Sequence, residues 1–133
     1  MSPDLEKQLC EKYPDLFVNR SKTVHESCLA FSCEHGDGWF ELLDCLCLFI
    51  QFHIKHNQMP DVTFDQIKEK FGRLTVYYTG GNDRTSGAVA LAESMSTRIC
   101  EACGKPGKLG GTGWLSTLCD ECRETLGRKD KTK

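Results

Sequence analysis

The chain has 133 residues, 39% hydrophobic and 27% charged, which is enough apolar material for one compact body with a small appendage but not for two full domains. Its formal net charge of −2 excludes the basic surplus of a protein that grips long stretches of nucleic acid. Nine cysteines, an odd number, and no basic region leading into an apolar stretch after Met1 predict a cytosolic chain whose thiols bind metal or pack in a core rather than pair as disulfides.

Pro3 to about Lys12 places Leu5, Leu9 and Cys10 at helical spacing after Ser2, and Tyr13-Pro14-Asp15 closes the segment. Asn19 to Glu26 is polar and reads as a loop, and Leu29 to Cys33 as a short strand. The turn Glu34-His35-Gly36-Asp37-Gly38 then leads into a helix from Trp39 to about His56. Trp39, Leu42, Leu43, Leu46, Cys47, Phe49, Ile50, His53 and Ile54 share one broad face of it. Cys45, Leu48 and Phe52 lie opposite, so this helix is either central to the fold or covered by another chain, with Leu48 and Phe52 as the interface candidates. The stretch around Leu42 to Ile54 is interrupted by Asp44, Gln51 and His53 and is too short to span a bilayer.

Met59-Pro60-Asp61 makes a connection, and Thr63 followed by Gln66 fits a capping box that predicts a short helix through Ile67 and Phe71, stopped at Gly72. Leu74 to Tyr78 reads as a strand by its β-branched and aromatic content, with Leu29 to Cys33 as a pairing partner. Gly80-Gly81-Asn82-Asp83 is its turn, and Thr85 to Thr97 forms a helix that delivers the chain to the first of four clustered cysteines.

Those cysteines carry the strongest signal. Cys100/Cys103 and Cys119/Cys122 are two Cys-x-x-Cys pairs separated by 15 residues, a spacing that lets each pair clamp one side of a tetrahedral zinc ion around a hairpin. Gly104 permits the tight turn behind the second thiolate. Lys108-Leu109 and Trp114 to Leu118 read as the hairpin strands, and Asp120 to Leu126 as a helix ended by Gly127. Knuckle, hairpin and helix together predict a treble-clef-like site with Trp114 packed over the metal or against the body. Four thiolates leave no position for water, so one structural Zn2+ is expected, and residues 97–133 contain no histidine to activate water beside it. Histidines 25, 35, 53 and 56 all lie upstream.

Other constellations have a bland and a sharp reading. Cys28, Cys33, His35, Cys45 and Cys47 could suggest a second metal, yet Cys45 and Cys47 project about 200° apart on a helix and buried thiols explain them more simply. Asp37 or Gly38 would cap the long helix, or the loop His35, Asp37, Trp39 could bind an anion at its N-terminus. Asn82 and Arg84 offer the same combination before the next helix, and the two loops, if they met, would form a pocket for a phosphate-bearing ligand. Residues 1–96 carry 9 Lys/Arg against 14 Asp/Glu, and residues 97–133 carry 8 against 5. Arg128, Lys129, Lys131 and Lys133 supply much of that surplus, as a solvated tail or an acid-binding one. No Walker loop, His-Glu-x-x-His, Gly-x-Ser-x-Gly or dinucleotide fingerprint occurs.

The ordered set Gly36-Asp37-Gly38-Trp39, Gln66 to Gly72 before Tyr77-Tyr78, and Cys100 to Gly107 with Gly113-Trp114 and Thr117-Leu118-Cys119 resembles a group of small bacteriophage- and prophage-encoded proteins with a C-terminal four-cysteine zinc motif. The resemblance covers most of residues 30–122. It implies an accessory protein of the bacterial host cytosol with no catalytic residues to transfer, one that counters host defence by binding.

The expected architecture is therefore an α+β body over residues 1–97, a zinc module over 98–127 and a basic tail over 128–133. The leading expectation for function is a non-enzymatic binding protein that inhibits a bacterial protein or sequesters a nucleotide-like signal, with self-association open. A nucleic-acid-binding zinc module is the alternative, and an enzyme using the His35/Asp37 loop a second.

Overall fold

The computed structural model describes residues 1–18 and 33–126. The expected loop at Asn19 to Glu26, nearly all of the strand at Leu29 to Cys33, Cys28 and the basic tail lie outside them. The described residues form an α+β fold of four α-helices and two two-stranded antiparallel sheets.

Helix α1 (Pro3–Lys12) starts with Pro at its first turn, where a missing N–H costs nothing, and buries Leu9 and Glu6. It is tied to the next helix by Asp44, which accepts from the Tyr13 hydroxyl at 2.7 Å and from Lys12 at 3.0 Å. A 3-10 turn over Asp37–Trp39 runs into α2 (Phe40–His56), whose Leu42, Leu43, Leu46, Cys47 and Ile50 are buried as the periodicity predicts. Leu48 and Phe52 are exposed, at 55% and 51%, and Phe49 joins them at 39% instead of the core. None of the described helices is long and apolar enough to cross a membrane.

The helix expected between Thr63 and Phe71 is a strand. Strand β1 (Val62–Lys70) pairs with β2 (Arg73–Gly80), and the register shifts between Phe64 and Gln66. This bulge inserts one residue, so Phe64 and Ile67 both point into the core although they stand three apart. That spacing imitates a helix face, which explains the misreading. Phe71 and Gly72 form the two-residue turn, with φ of 55° and 79°, the pairing of positive values that a type I′ hairpin needs.

The partner expected for β2, Leu29 to Cys33, lies almost wholly outside the described residues. Among the described residues β2 pairs with β1, and Glu34 bridges β1 on its other side, donating its N–H to the Ile67 carbonyl at 2.9 Å and accepting from Glu69 at 2.8 Å. The free edge of β2 is covered by α3 (Asp83–Ser96): Leu74 N–H donates to Ser96 Oγ at 2.9 Å and Val76 N–H to Glu93 Oε2 at 3.0 Å. Side chains thus satisfy amides that would otherwise template another strand.

Candidate metal centre

Beyond α3 the chain makes a knuckle, closed by Cys100 N–H to the Lys105 carbonyl at 2.7 Å and Gly104 N–H to the Cys100 carbonyl at 2.9 Å. Gly104 sits at φ 84°, as the turn behind the second thiol requires. The hairpin β3 (Lys108–Gly110) and β4 (Ser116–Leu118) follows, and then α4 (Asp120–Thr125). Cys119 is the N-cap of α4, and its Sγ accepts from the Cys122 N–H at 3.4 Å. This is the knuckle, hairpin and helix that the cysteine spacing predicts.

The Sγ atoms of Cys100, Cys103, Cys119 and Cys122 all lie within 4.8 Å of one another, and Cys103 and Cys119 are 3.7 Å apart. A tetrahedron with zinc–sulfur bonds of about 2.3 Å has edges of about 3.8 Å. The donor chemistry and the geometry both fit, and the four thiols are free rather than disulfide-bonded. Together they form a site for one structural zinc ion. No family model, curated protein or solved structure matches the chain.

Electrostatics favour a cation here. Burial pushes the Cys100 thiol up, but backbone N–H groups of Cys119, Cys103 and Ala102 outweigh it and bring the pKa down to about 7. Cys122 is pushed up to about 12, chiefly by its neighbours Cys119 and Cys103. Four thiolates cannot be held together unless a metal neutralises them, so binding zinc releases protons. The closed ligand set leaves the ion a structural part, with no position for reacting water.

Arg123 was not singled out by spacing, yet it locks the module: its guanidinium donates to the carbonyls of Lys108 at 2.7 Å, Ser116 at 3.1 Å and Gly110 at 3.2 Å, lashing α4 to both hairpin strands. Trp114, expected over the metal or the body, is instead 65% exposed at the hairpin tip. The loop of five residues between short strands carries it outward.

The polar loop before α2 meets the zinc knuckle. Gly36 N–H donates to Glu101 Oε2 at 2.9 Å and Gly38 N–H to the Glu101 carbonyl at 2.6 Å. The N-terminal amides that would cradle a phosphate are thus engaged by a residue of the chain's own metal site. A Cβ on Gly36 or Gly38 would stand 2.4 Å from the Glu101 carbonyl oxygen or 2.1 Å from that of Cys100, so the backbones dock because both positions are glycine. Asp37 accepts from Ser2 N–H at 2.6 Å. Trp39 is fully buried and donates to the Ile99 carbonyl at 2.9 Å.

His35 is buried under Trp39, their ring centroids 5.9 Å apart. Its Nδ1 is 2.9 Å from the Gly36 carbonyl, which makes Nδ1 the protonated nitrogen. Nε2 has no hydrogen-bond partner among the described residues. Burial lowers the pKa to about 4, against a smaller raising effect from the Gly36 carbonyl.

Asn82 caps α3, accepting from Arg84 N–H at 3.0 Å, and Thr85 Oγ1 accepts from Asn82 N–H at 3.1 Å. The Arg84 guanidinium reaches His53 Nδ1 at 3.1 Å, near the C-terminal end of α2. The His35 loop lies at the other end of that helix, about 20 Å away at the usual rise per residue. The two loops do not meet, and the joint phosphate pocket is not assembled. Among the described residues the four-cysteine cluster is the one group of three or more metal-ligating side chains in ligating range. Cys45 is exposed while Cys47 and Cys33 are buried, and burial raises both buried thiols well above the ordinary value.

Proposed function

We propose that this chain is a non-enzymatic, phage-type zinc-containing binding protein that inhibits a bacterial host protein. What supports the reading is the tip of the first hairpin, seated on the strands of the second. The Phe71-Gly72 turn rests on the metal module: Thr117 Oγ1 donates to the Gly72 carbonyl at 2.6 Å, and a Cβ on Gly72 would stand 2.5 Å from Leu109. Phe71 at this contact is 71% exposed and Leu109 46%, and Trp114 at the tip of the second hairpin is 65% exposed. Lys70 lies 6.0 Å over the Phe71 ring, and Arg73 follows the same turn.

Exposed aromatic side chains on a rigid base, with cations beside them, are the anchors that protein interfaces use, where truncating one often costs about 2 kcal/mol or more. Phe71 keeps a left-handed φ that disfavours a bulky residue, a local cost that binding would explain. The zinc ion then acts at a distance, by holding the β3–β4 hairpin rigid.

The test is capture from a bacterial lysate on the zinc-loaded chain, beside a Phe71→Ser/Trp114→Ser double variant that retains zinc. One host protein held by the parent and released by the variant is the expected outcome. Capture that ignores the substitutions, or no captured protein, overturns the reading.

The same cations and rings suit a single-stranded nucleic acid, which stacks on aromatics and is held by its phosphates. That second reading requires affinity for an oligonucleotide that falls steeply with salt. Failure to bind one at about 50 mM salt removes it.

A further inference from the structure

Helices α2 and α3 lie side by side and antiparallel: Arg84 at the start of α3 reaches His53 near the end of α2, and Glu41 at the start of α2 shares a groove with Met95 and Ile99 at the end of α3. Their common outer face is apolar. Leu48, Phe49 and Phe52 are 55%, 39% and 51% exposed, and Leu91 and Met95 are 62% and 44% exposed. Between the helices runs a groove of about 610 Å³. Those five side chains leave on the order of 500 Å² of apolar surface in water, at the upper end of what a monomer shows.

Gly87 gives this face a second, independent mark. It lies inside α3 on the groove, and a Cβ built there would meet no atom within 4 Å. Glycine weakens a helix relative to alanine, and among the described residues none needs the missing side chain. A glycine on an exposed helix face leaves room for a second backbone to approach closely.

Charge then selects the occupant. Glu41 stands at one end of the groove and Arg84 at the other. A two-fold axis lying across the helices lays the Glu41 end of one copy over the Arg84 end of its partner, so a single operation complements both ends. Leu48 stands near the middle of α2, at the level where that axis would cross.

We propose that the α2–α3 face is a homodimer interface, in which two copies stack their helix pairs antiparallel into a four-helix bundle. Two such faces remove about 1,000 Å² of apolar surface from water, the size at which specific interfaces begin. The hairpin tips with Phe71 and Trp114 are built on other elements, so the dimer and the host-protein reading stand or fall separately.

Sedimentation equilibrium of the zinc-loaded chain at about 100 μM is the test, a concentration that populates a dimer of micromolar affinity. The expected mass is that of two chains. Leu48→Glu gives the mass of one chain, with helical circular dichroism and zinc content unchanged. Gly87→Gln, which tolerates a helix but fills the close approach, raises the dissociation constant at least about ten-fold. Glu41→Arg and Arg84→Glu each weaken the dimer, and the two together restore it. A single-chain mass for the parent overturns the proposal, as does a dimer indifferent to Gly87→Gln or a charge swap weaker than either single change. If Leu48→Glu fails to fold, the glycine variant and the charge cycle still decide.

Discussion

The indole Nε1 of Trp39 donates to the carbonyl oxygen of Ile99 at 2.9 Å, so the start of the longest helix hangs on the residue that precedes the first zinc ligand. Together with the bonds from Gly36 and Gly38 to Glu101, this makes the metal centre a support for the body as well as for itself.

Removing zinc with a strong chelator should therefore disorder the segment from Ile99 to Leu126 and loosen the first turn of α2, leaving α1 and the β1–β2 hairpin protected. Hydrogen exchange resolved by segment checks this, and Cys119→Ser should reproduce it. Structural zinc sites contribute on the order of 10 kcal/mol to the folding of small modules, so partial protection of the module without metal would count against the assignment.

Gly38→Ala should destabilise the chain by about 2–3 kcal/mol, because the new Cβ would overlap backbone that cannot turn away and overpacking costs that much. The contacts are the Cys100 carbonyl oxygen at 2.1 Å and the Glu101 carbonyl carbon at 2.6 Å. Gly110→Ala is the control. Its Cβ would lie 3.8 Å from the Arg123 guanidinium, an ordinary contact. Urea unfolding of both variants compares them, and equal midpoints would refute the docking of loop on knuckle.

Acid should weaken the fold through His35. Its native pKa is about 4 against an ordinary 6.5, so between those values the unfolded chain binds a proton that the native chain refuses. The stabilisation is complete above pH 6.5 and falls as pH drops toward 4, by about 3 kcal/mol in all. His35→Leu removes the charge that must not form and should flatten this part of the profile. Both proteins share the zinc ligands, so the difference between their stability curves isolates the histidine. Identical slopes over that window would show that His35 is not responsible.

Phe71→Asn should raise stability and lower binding together. Asparagine tolerates a left-handed φ, at a saving of about 1 kcal/mol, whereas the exposed ring is what the partner reads. Thermal unfolding and capture of the host protein report the two effects. A variant that is both less stable and equally able to bind would contradict the role given to this side chain.

The zinc ligands were legible because they depend on local spacing alone: Cys-x-x-Cys brings two thiols to one side of an ion wherever the knuckle sits. Helices α2 and α3 were legible for a similar reason, since burial repeats with the helical period. Strand β1 was not. Its bulge at Asp65 spaces Phe64 and Ile67 like successive turns of a helix, and only pairing with β2 shows that the backbone is extended.

By itself, then, the sequence determined the four ligands, the order of knuckle, hairpin and helix around them, and the apolar excess of α2. Tertiary structure decided what the polar loops do. Glu101, 65 residues from Gly36 along the chain, takes the amides offered by the α2 N-terminus, and Arg84 and His35 end at opposite ends of one helix. A backbone N–H donates to whichever carboxylate or carbonyl the packing brings within reach, and no local pattern records which one that is.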